Sequence, residues 1–125
     1  MSAKEIQDLI NGFHYWDARV SNLDCKHFAD EIELSYDMGN SKIVYNFIAC
    51  YKSIFDHVKN YEKVEPIKDM SIPQIPYFLQ DVAIQERVED NVRFLTCKIN
   101  MFPLYLEIWC KDIIIEERSI HEDTE

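Results

Sequence analysis

Glycine is scarce in this chain, with two residues in 125. Loops that cradle phosphate groups need several glycines, and neither GxGxxG nor GxxxxGKS/T occurs, so the sequence predicts no nucleotide-binding loop of that kind. No apolar run approaches the ~18 residues that a membrane-spanning helix needs. The first ten residues lack a basic segment followed by an apolar one, so we expect no secretory signal and a cytoplasmic protein.

Closely spaced metal ligands are also missing. The four cysteines form no CxxC pair, and the four histidines form no HxH, HxxxH or HExxH spacing. Zinc sites usually show such spacing, so we expect neither a metal nor another cofactor. Without an export signal, the cysteines are expected to be reduced thiols that behave as small hydrophobic residues, although their even number also allows two disulfides.

Basic residues are outnumbered, with 13 Lys and Arg against 23 Asp and Glu, for a net charge of -10. The phosphates of nucleic acids and of anionic membranes attract cationic surfaces, so we expect neither as a partner. A strong negative charge keeps a protein soluble, and it also steers association with a basic partner.

The acidic residues are concentrated in three segments, 17–37, 69–90 and 112–125, whereas the segments 42–68 and 91–111 are mildly basic. A surface built for solubility alone mixes the two signs evenly. If the acidic strands are neighbours in a sheet, they form one acidic binding face; otherwise they are solvated strand faces without a partner. The residues predicted to bind a partner are Asp30, Glu31, Glu33, Asp37, Glu86, Glu89 and Asp90.

An amphipathic helix is predicted over residues 3–12. It opens with Ser2-Ala3-Lys4-Glu5, the pattern of a capping box, and Gly12 suits its end. One face carries apolar residues at helical spacing, and we expect it to pack on a sheet; the residues are Ile6, Leu9, Ile10 and Phe13.

The remaining chain alternates apolar and polar residues as strands do. Strands are predicted at 19–23, 31–36, 42–51 with an extension through Phe55 after a kink, 79–88, 95–101 and from 104 onward. Turns are predicted at Met38–Ser41 and Phe102–Pro103. The apolar phase changes at Lys111–Asp112, which predicts a β-bulge.

Three prolines restrict residues 59–76 to a loop or a short helix around 61–63, and residues 118–125 are polar and expected to fray. The chain is therefore predicted to be a single domain, residues 1–125, of the α+β class. An N-terminal helix packs on a curled, mostly antiparallel sheet of six or seven strands.

A catalytic centre is not predicted. His14 and Asp17 could form a His–carboxylate pair with Ser21 or Cys25 as nucleophile, but no nucleophile motif surrounds either residue. A glycosidase pair cannot be chosen among 23 acidic residues. We therefore expect no enzyme, and we expect His14 to be packed at the junction of helix and strand.

Aromatic residues on two strands could stack nucleic-acid bases, but such a platform needs basic flanks. They are Tyr45, Phe47 and Tyr51 on one strand and Tyr105 and Trp109 on another. With the net charge of this chain, packing in or beside the core is the favoured interpretation.

Three segments are similar to one group of bacterial immunity proteins from contact-dependent growth inhibition and related polymorphic toxin systems. They are FHYWDARV at 13–20, EIELSYD with KIVYNFIACY at 31–51, and LYLEIWCKDIIIE at 104–116. The resemblance spans most of the chain as a pattern of elements. His14 and Asp17 are separated by two residues, whereas that group commonly has His and Asp adjacent, so no role is assigned to His14.

The resemblance implies a protein partner, the C-terminal toxin domain of a large exported effector, which is often a basic nuclease. The immunity protein would block its active site or substrate surface in the cytoplasm. Carboxylates would occupy a cationic groove meant for phosphates, and aromatic side chains would anchor the contact. The alternative is an orphan β-rich module that binds a small ligand or a protein in a pocket of the sheet.

Overall fold

The computed structural model of the protein describes residues 1–58 and 65–119. The elements are α1 Ala3–Gly12, β1 Val20–Lys26, β2 Glu31–Met38, β3 Ser41–His57, β4 Asp81–Glu89, β5 Val92–Met101 and β6 Leu104–Ser119. Two short 3-10 turns, Ile67–Asp69 and Ile72–Gln74, precede β4. The short helix predicted at 61–63 lies outside the described residues. Of the segment 118–125 expected to fray, Arg118 and Ser119 instead belong to β6, and residues 120–125 lie outside the described residues.

The capping box of α1 is confirmed. The Ser2 hydroxyl accepts a hydrogen bond from the Glu5 N–H at 3.1 Å, and the Glu5 carboxylate accepts one from the Ser2 N–H at 3.2 Å. The backbone N–H groups of Ser2 and Glu5 are thus each satisfied by the side chain of the other residue. This reciprocal pair fixes where the helix starts.

The buried face of α1 is centred on Ala3, Ile6 and Ile10, with Phe13 packed against the core at its end. Leu9 is only half-buried and lies at the margin of this face, so the predicted apolar stripe is right except at Leu9. The helix therefore packs on the sheet as expected, through a narrower set of side chains.

All six strands form one antiparallel sheet in the order β1-β2-β3-β6-β5-β4. Side chains from α1 and from every strand meet in a single core, so the sheet must curl around it. The two ends of the sheet approach each other at an isolated bridge between Arg19 and Phe78. The ladder does not continue there into a closed barrel, so the predicted α+β class with a curled sheet is confirmed.

The helix also covers the edge of β4. The Gln7 amide donates to the Val82 carbonyl at 2.8 Å and accepts from the Ile84 N–H at 2.7 Å. The buried Tyr15 hydroxyl accepts from the Val82 N–H at 3.0 Å. Because an open edge strand invites pairing with other chains, these contacts protect one end of the sheet.

Local sequence explains the turns. Gly39, with φ +66°, lies in the predicted β2–β3 turn, and Phe102–Pro103 forms the predicted β5–β6 turn. Asp90 and Asn91 both have positive φ, 51° and 64°, between β4 and β5. Two such residues match the twist of a tight hairpin, and Asp and Asn tolerate this backbone region better than most residues.

The predicted change of phase in β6 is confirmed, but the bulge lies on the neighbouring strand. Inward positions of β6 are even up to Cys110 and odd after Asp112. The pairing keeps one register there, with Asp112 opposite Ile48 and Cys110 opposite Cys50, so both strands change phase together. The extra residue is in β3, between Cys50 and Lys52, and β3 continues through this kink to His57 as predicted.

Candidate partner-binding surface

The sheet has an inner face that lines the core and an outer face opposite to it. Along β2 the buried residues Ile32, Leu34 and Tyr36 confirm the predicted alternation. Glu33 lies between them and Glu31 and Asp37 flank them, so these three side chains point to the outer face. Asp30 precedes the strand in the β1–β2 turn. Three residues of the first predicted acidic group thus share one face, and Asp30 adjoins it.

Two further carboxylates join this group through strand order. β3 separates β2 from β6, and the register places Glu31 opposite Ile48, which is opposite Asp112. Four residues further along β2, Ser35 is opposite Val44, which is opposite Glu116. The acidic segments 17–37 and 112–119 therefore lie one strand apart. We call Asp30, Glu31, Asp37, Asp112 and Glu116 the acidic patch.

The Glu33 carboxylate is engaged in contacts within the molecule. Its carboxylate lies 3.5 Å from the Lys26 ammonium and 3.8 Å from the Arg118 guanidinium, and it accepts a hydrogen bond from the Asn22 amide at 3.2 Å. Its side chain is 17% exposed. Glu33 therefore ties β1, β2 and β6 together, whereas Asp30 and Asp37 form no ion pair within residues 1–58 and 65–119.

The second predicted acidic group does not join the first. Glu89 lies on the outer face at the end of β4, Asp90 is in the following turn, and Glu86 points to the helix side. Three strands, β3, β6 and β5, lie between β2 and β4 in the sheet. The seven predicted residues thus fall into two separate regions.

Glu86 is a structural residue. Its carboxylate accepts hydrogen bonds from the Arg93 guanidinium at 3.0 Å and the Ala3 N–H at 2.9 Å. These hydrogen bonds, that of Arg93 first, lower the pKa of the Glu86 carboxyl. Glu86 thereby joins the start of α1 to β4 and β5.

A cluster of aromatic side chains on the outer face was missed by the sequence analysis. Tyr51, Phe94 and Trp109 contact one another there, with ring centroids 5.2 to 5.9 Å apart. We call these three residues the aromatic cluster. Ala49, with φ 55°, lies where β3 changes phase between Phe47 and Cys50, so Tyr51 is on the face opposite to Tyr45 and Phe47, with which the alternation had grouped it.

The β1–β2 turn carries a fully exposed aromatic ring. Phe28 is at its tip, and His27, Phe28 and Ala29 all have positive φ, between 52° and 67°. Such backbone is costly for residues with a Cβ and tends to occur at functional segments. The Asp30 carbonyl accepts from the Cys50 N–H at 2.8 Å, which places this turn beside the β3 bulge.

The helix–strand junction holds one buried aromatic residue between two exposed ones. Tyr15 is buried and stacks on Trp16 at 4.4 Å, but Trp16 and His14 are exposed. The prediction that His14 is packed is wrong. The left-handed backbone of His14 and Asp17, with φ 51° and 62°, turns their neighbour Tyr15 inward instead.

The cysteines form no disulfide and differ in exposure. Cys25 is exposed, whereas burial raises the pKa of Cys50 to about 11 and that of Cys110 to about 12, and also raises that of Cys97. Thiols with raised pKa are poor nucleophiles. Cys97 and Cys110 lie on neighbouring strands but are opposite Ile108 and Leu95, not each other.

Within residues 1–58 and 65–119, no group of three or more His, Cys, Asp or Glu side chains is placed to hold a metal ion. In the same ranges, no helix has the length and apolar character needed to cross a membrane. A cavity of about 420 Å³ lies where the sheet ends approach, and Asp17, Arg19 and Asp37 are among its lining residues.

Comparison with known proteins assigns the chain to a family. The sequence profile of the family described as Immunity protein PIM7 matches residues 2–117, which include α1, β1 to β5 and most of β6. No curated protein matches the chain in sequence. Because the profile covers nearly the whole chain, the protein belongs to the Immunity protein PIM7 family.

Proposed function

We propose that this protein binds and neutralises the toxin domain of a contact-dependent growth inhibition or related polymorphic toxin system in the bacterial cytoplasm. Membership of an immunity protein family supports toxin neutralisation as the general function. Families of this kind are typically not enzymes, and they act by binding a cognate toxin protein. The nature of that toxin and the surface that meets it are the parts proposed here.

The acidic patch is the observation that carries the proposed mechanism. Strand order and register collect four carboxylates on the outer face, with Asp30 in the adjoining turn, in a chain whose net charge is -10. A toxin that cleaves nucleic acid needs a cationic groove for phosphates. Carboxylates held on a rigid sheet could occupy that groove, and their field would speed the encounter of the two proteins.

The contacts within the molecule refine which predicted residues suit this role. Glu33 is held by Lys26, Arg118 and the Asn22 side-chain amide, and Glu86 by Arg93 and the Ala3 N–H. Asp30, Glu31 and Asp37 form no ion pair with a Lys or Arg among the described residues, and the His27 ring lies 4.0 Å from Glu31. We therefore propose Asp30, Glu31 and Asp37 as the main acidic contacts with the toxin. Glu89 and Asp90 are proposed as a second acidic group, separate from these three.

Nucleic acid and membrane are not proposed as partners, because the acidic patch would repel both. Three basic residues lie among the carboxylates of this half of the sheet: Lys26, Lys42 and Arg118. Lys26 is engaged by Glu33, and Arg118 is engaged by Glu116 at 2.9 Å and by Glu33 at 3.8 Å. The surface that remains is therefore predominantly acidic and suits a basic protein.

The proposal predicts a toxin-domain gene immediately upstream of this gene, and the test uses the domain that it encodes. We expect that domain to arrest growth when expressed alone, and that co-expression of this protein restores growth. The purified proteins should form a complex that survives high salt and abolishes the toxin's activity in vitro. A folded protein that neither binds this domain nor restores growth would contradict the proposed function.

A further inference from the structure

The aromatic cluster lies on the outer face of the sheet, outside the hydrophobic core. The hydrophobic core lies on the inner face of the sheet, and none of the three cluster residues belongs to it. Phe94 is nevertheless 4% exposed, because the rings of Tyr51 and Trp109 cover it from outside. Tyr51 itself is 58% exposed. The outer face thus presents a preformed aromatic surface.

Two cations lie against this surface. The Lys52 ammonium is 4.2 Å from the centre of the Trp109 ring, and the carbon at the centre of the Arg87 guanidinium is 5.1 Å from it. Both side chains belong to exposed residues, and neither forms an ion pair within the described parts of the chain. Their charges are therefore held in place by the ring and remain available to a partner.

The Trp109 indole ring is also held in place by two other side chains. The Trp109 Nε1–H donates to the Glu107 carboxylate at 3.0 Å, and Phe94 stacks on the ring at 5.3 Å with an interplanar angle of 22°. Because the ring is already ordered, little side-chain entropy would be lost when a partner covers it. Rigid Trp, Tyr and Arg side chains are the residues that most often dominate the energy of protein–protein contacts.

We infer that the aromatic cluster, with Lys52 and Arg87, forms a second contact site for the toxin domain and binds a carboxylate-bearing segment of it. This inference rests on the proposed function. Charge complementarity selects the occupant, because a guanidinium and an ammonium over an indole ring fit a carboxylate, which Arg can bind through two parallel hydrogen bonds.

The two contact sites adjoin each other. The Asp30 carbonyl accepts from the Cys50 N–H, and Tyr51 follows Cys50 at the bulge, so the turn that bears Phe28 lies next to the aromatic cluster. A single partner can therefore cover both. A toxin domain with a cationic groove bordered by its own acidic side chains would be complementary to the whole surface, which explains why basic and acidic regions alternate along the outer face.

The first experiment measures toxin affinity for charge-neutral variants. Lys52→Gln with Arg87→Gln should weaken binding at least tenfold. The control, Lys4→Gln with Lys68→Gln, makes the same change of charge at exposed residues away from the cluster and should change the affinity less than twofold. Tyr51→Ala should also weaken binding at least tenfold, and thermal unfolding of this variant checks that the loss does not come from misfolding.

The second experiment observes the ring itself. The chain has two tryptophans, so 5-fluorotryptophan introduced into this protein alone gives two fluorine signals, and Trp16→Phe assigns them. On addition of the unlabelled toxin domain, the Trp109 signal should shift. An unchanged Trp109 signal in a formed complex would contradict the inference.

The outcomes separate the inference from the proposed function. If the wild-type protein binds the toxin domain and the Lys52/Arg87 variant binds equally well, the inference is wrong while the proposed function stands. If the wild-type protein does not bind at all, both are wrong. A wild-type dimer that these substitutions dissociate, with toxin affinity unchanged, would assign the cluster to a second copy of this chain and overturn the inference.

Discussion

The Glu86 carboxylate receives hydrogen bonds from the Ala3 N–H at 2.9 Å and from the Arg93 guanidinium at 3.0 Å, and so connects the first residue of α1 to two strands. A carboxylate at a helix N-terminus is favoured by the unpaired N–H groups there. Glu86 is therefore part of the fold, although its place in an acidic segment had suggested a role in binding.

Glu86→Gln should lower the thermal midpoint, whereas Glu89→Gln, three residues away on the outer face, should leave it unchanged. The lowered pKa of Glu86 sets the pH dependence. Its stabilisation should be fully present above the ordinary value of 4.5 and be lost as pH falls through the lowered pKa. Thermal unfolding at several pH values measures both effects. A Glu86→Gln deficit that persists unchanged at strongly acidic pH would contradict this assignment.

Tyr15 and Tyr45 provide a matched pair of buried hydroxyl groups. The Tyr15 hydroxyl accepts from the Val82 N–H, so Tyr15→Phe should lower the free energy of unfolding by about 1–3 kcal/mol. The buried Tyr45 hydroxyl lies beside that of Tyr36, and neither forms a hydrogen bond of ordinary geometry among the described residues, so Tyr45→Phe should leave stability unchanged or raise it. Denaturant titration of both variants checks the contrast, and equal losses would contradict it.

The packing of α1 predicts that alanine substitutions at two adjacent positions lower the free energy of unfolding by different amounts. Ile10 is completely buried, so Ile10→Ala should lower the free energy of unfolding by about 2–5 kcal/mol. Leu9 is half-buried at the margin of the helix face, so Leu9→Ala should cost clearly less. Urea unfolding of the two variants measures the difference. A larger loss at Leu9 would mean that the helix is rotated about its axis.

Thiol reactivity should follow exposure. In the native protein at mildly alkaline pH, a thiol reagent should modify Cys25 rapidly and the other three cysteines slowly, because burial raises the pKa of Cys50, Cys97 and Cys110. In denaturant all four should react. Fewer than four reactive thiols in unreduced, denatured protein would reveal a disulfide.

Local patterns were enough to predict most elements of the fold. The Ser2–Glu5 capping box, the alternation along β2, and the turns at Gly39 and Pro103 depend on residues close in sequence. Their physical causes are contained in short segments, so no knowledge of the sheet was needed.

The binding surface depends on relationships that short segments do not contain. The pairing of β3 with β6 brings Asp112 and Glu116 near β2, and nothing in either strand alone specifies that order. The change of phase at Ala49, just before the bulge, moves Tyr51 to the outer face. Glu86 and Glu89 belong to the same strand and the same acidic segment, yet strand alternation directs them to opposite faces.

The most direct test of the acidic patch as the toxin-binding surface is the association rate with the cognate toxin domain. Raising salt from ~50 to ~500 mM shortens the Debye length from ~14 to ~4 Å, so the wild-type rate should fall steeply while dissociation changes little. Asp30→Asn with Glu31→Gln and Asp37→Asn should slow association about tenfold at low salt and remove most of this salt dependence. The control changes equal charge elsewhere, Asp8→Asn with Glu65→Gln and Asp69→Asn, and should have a much smaller effect. If the patch variant associates as fast as the wild type, the acidic patch does not guide toxin binding.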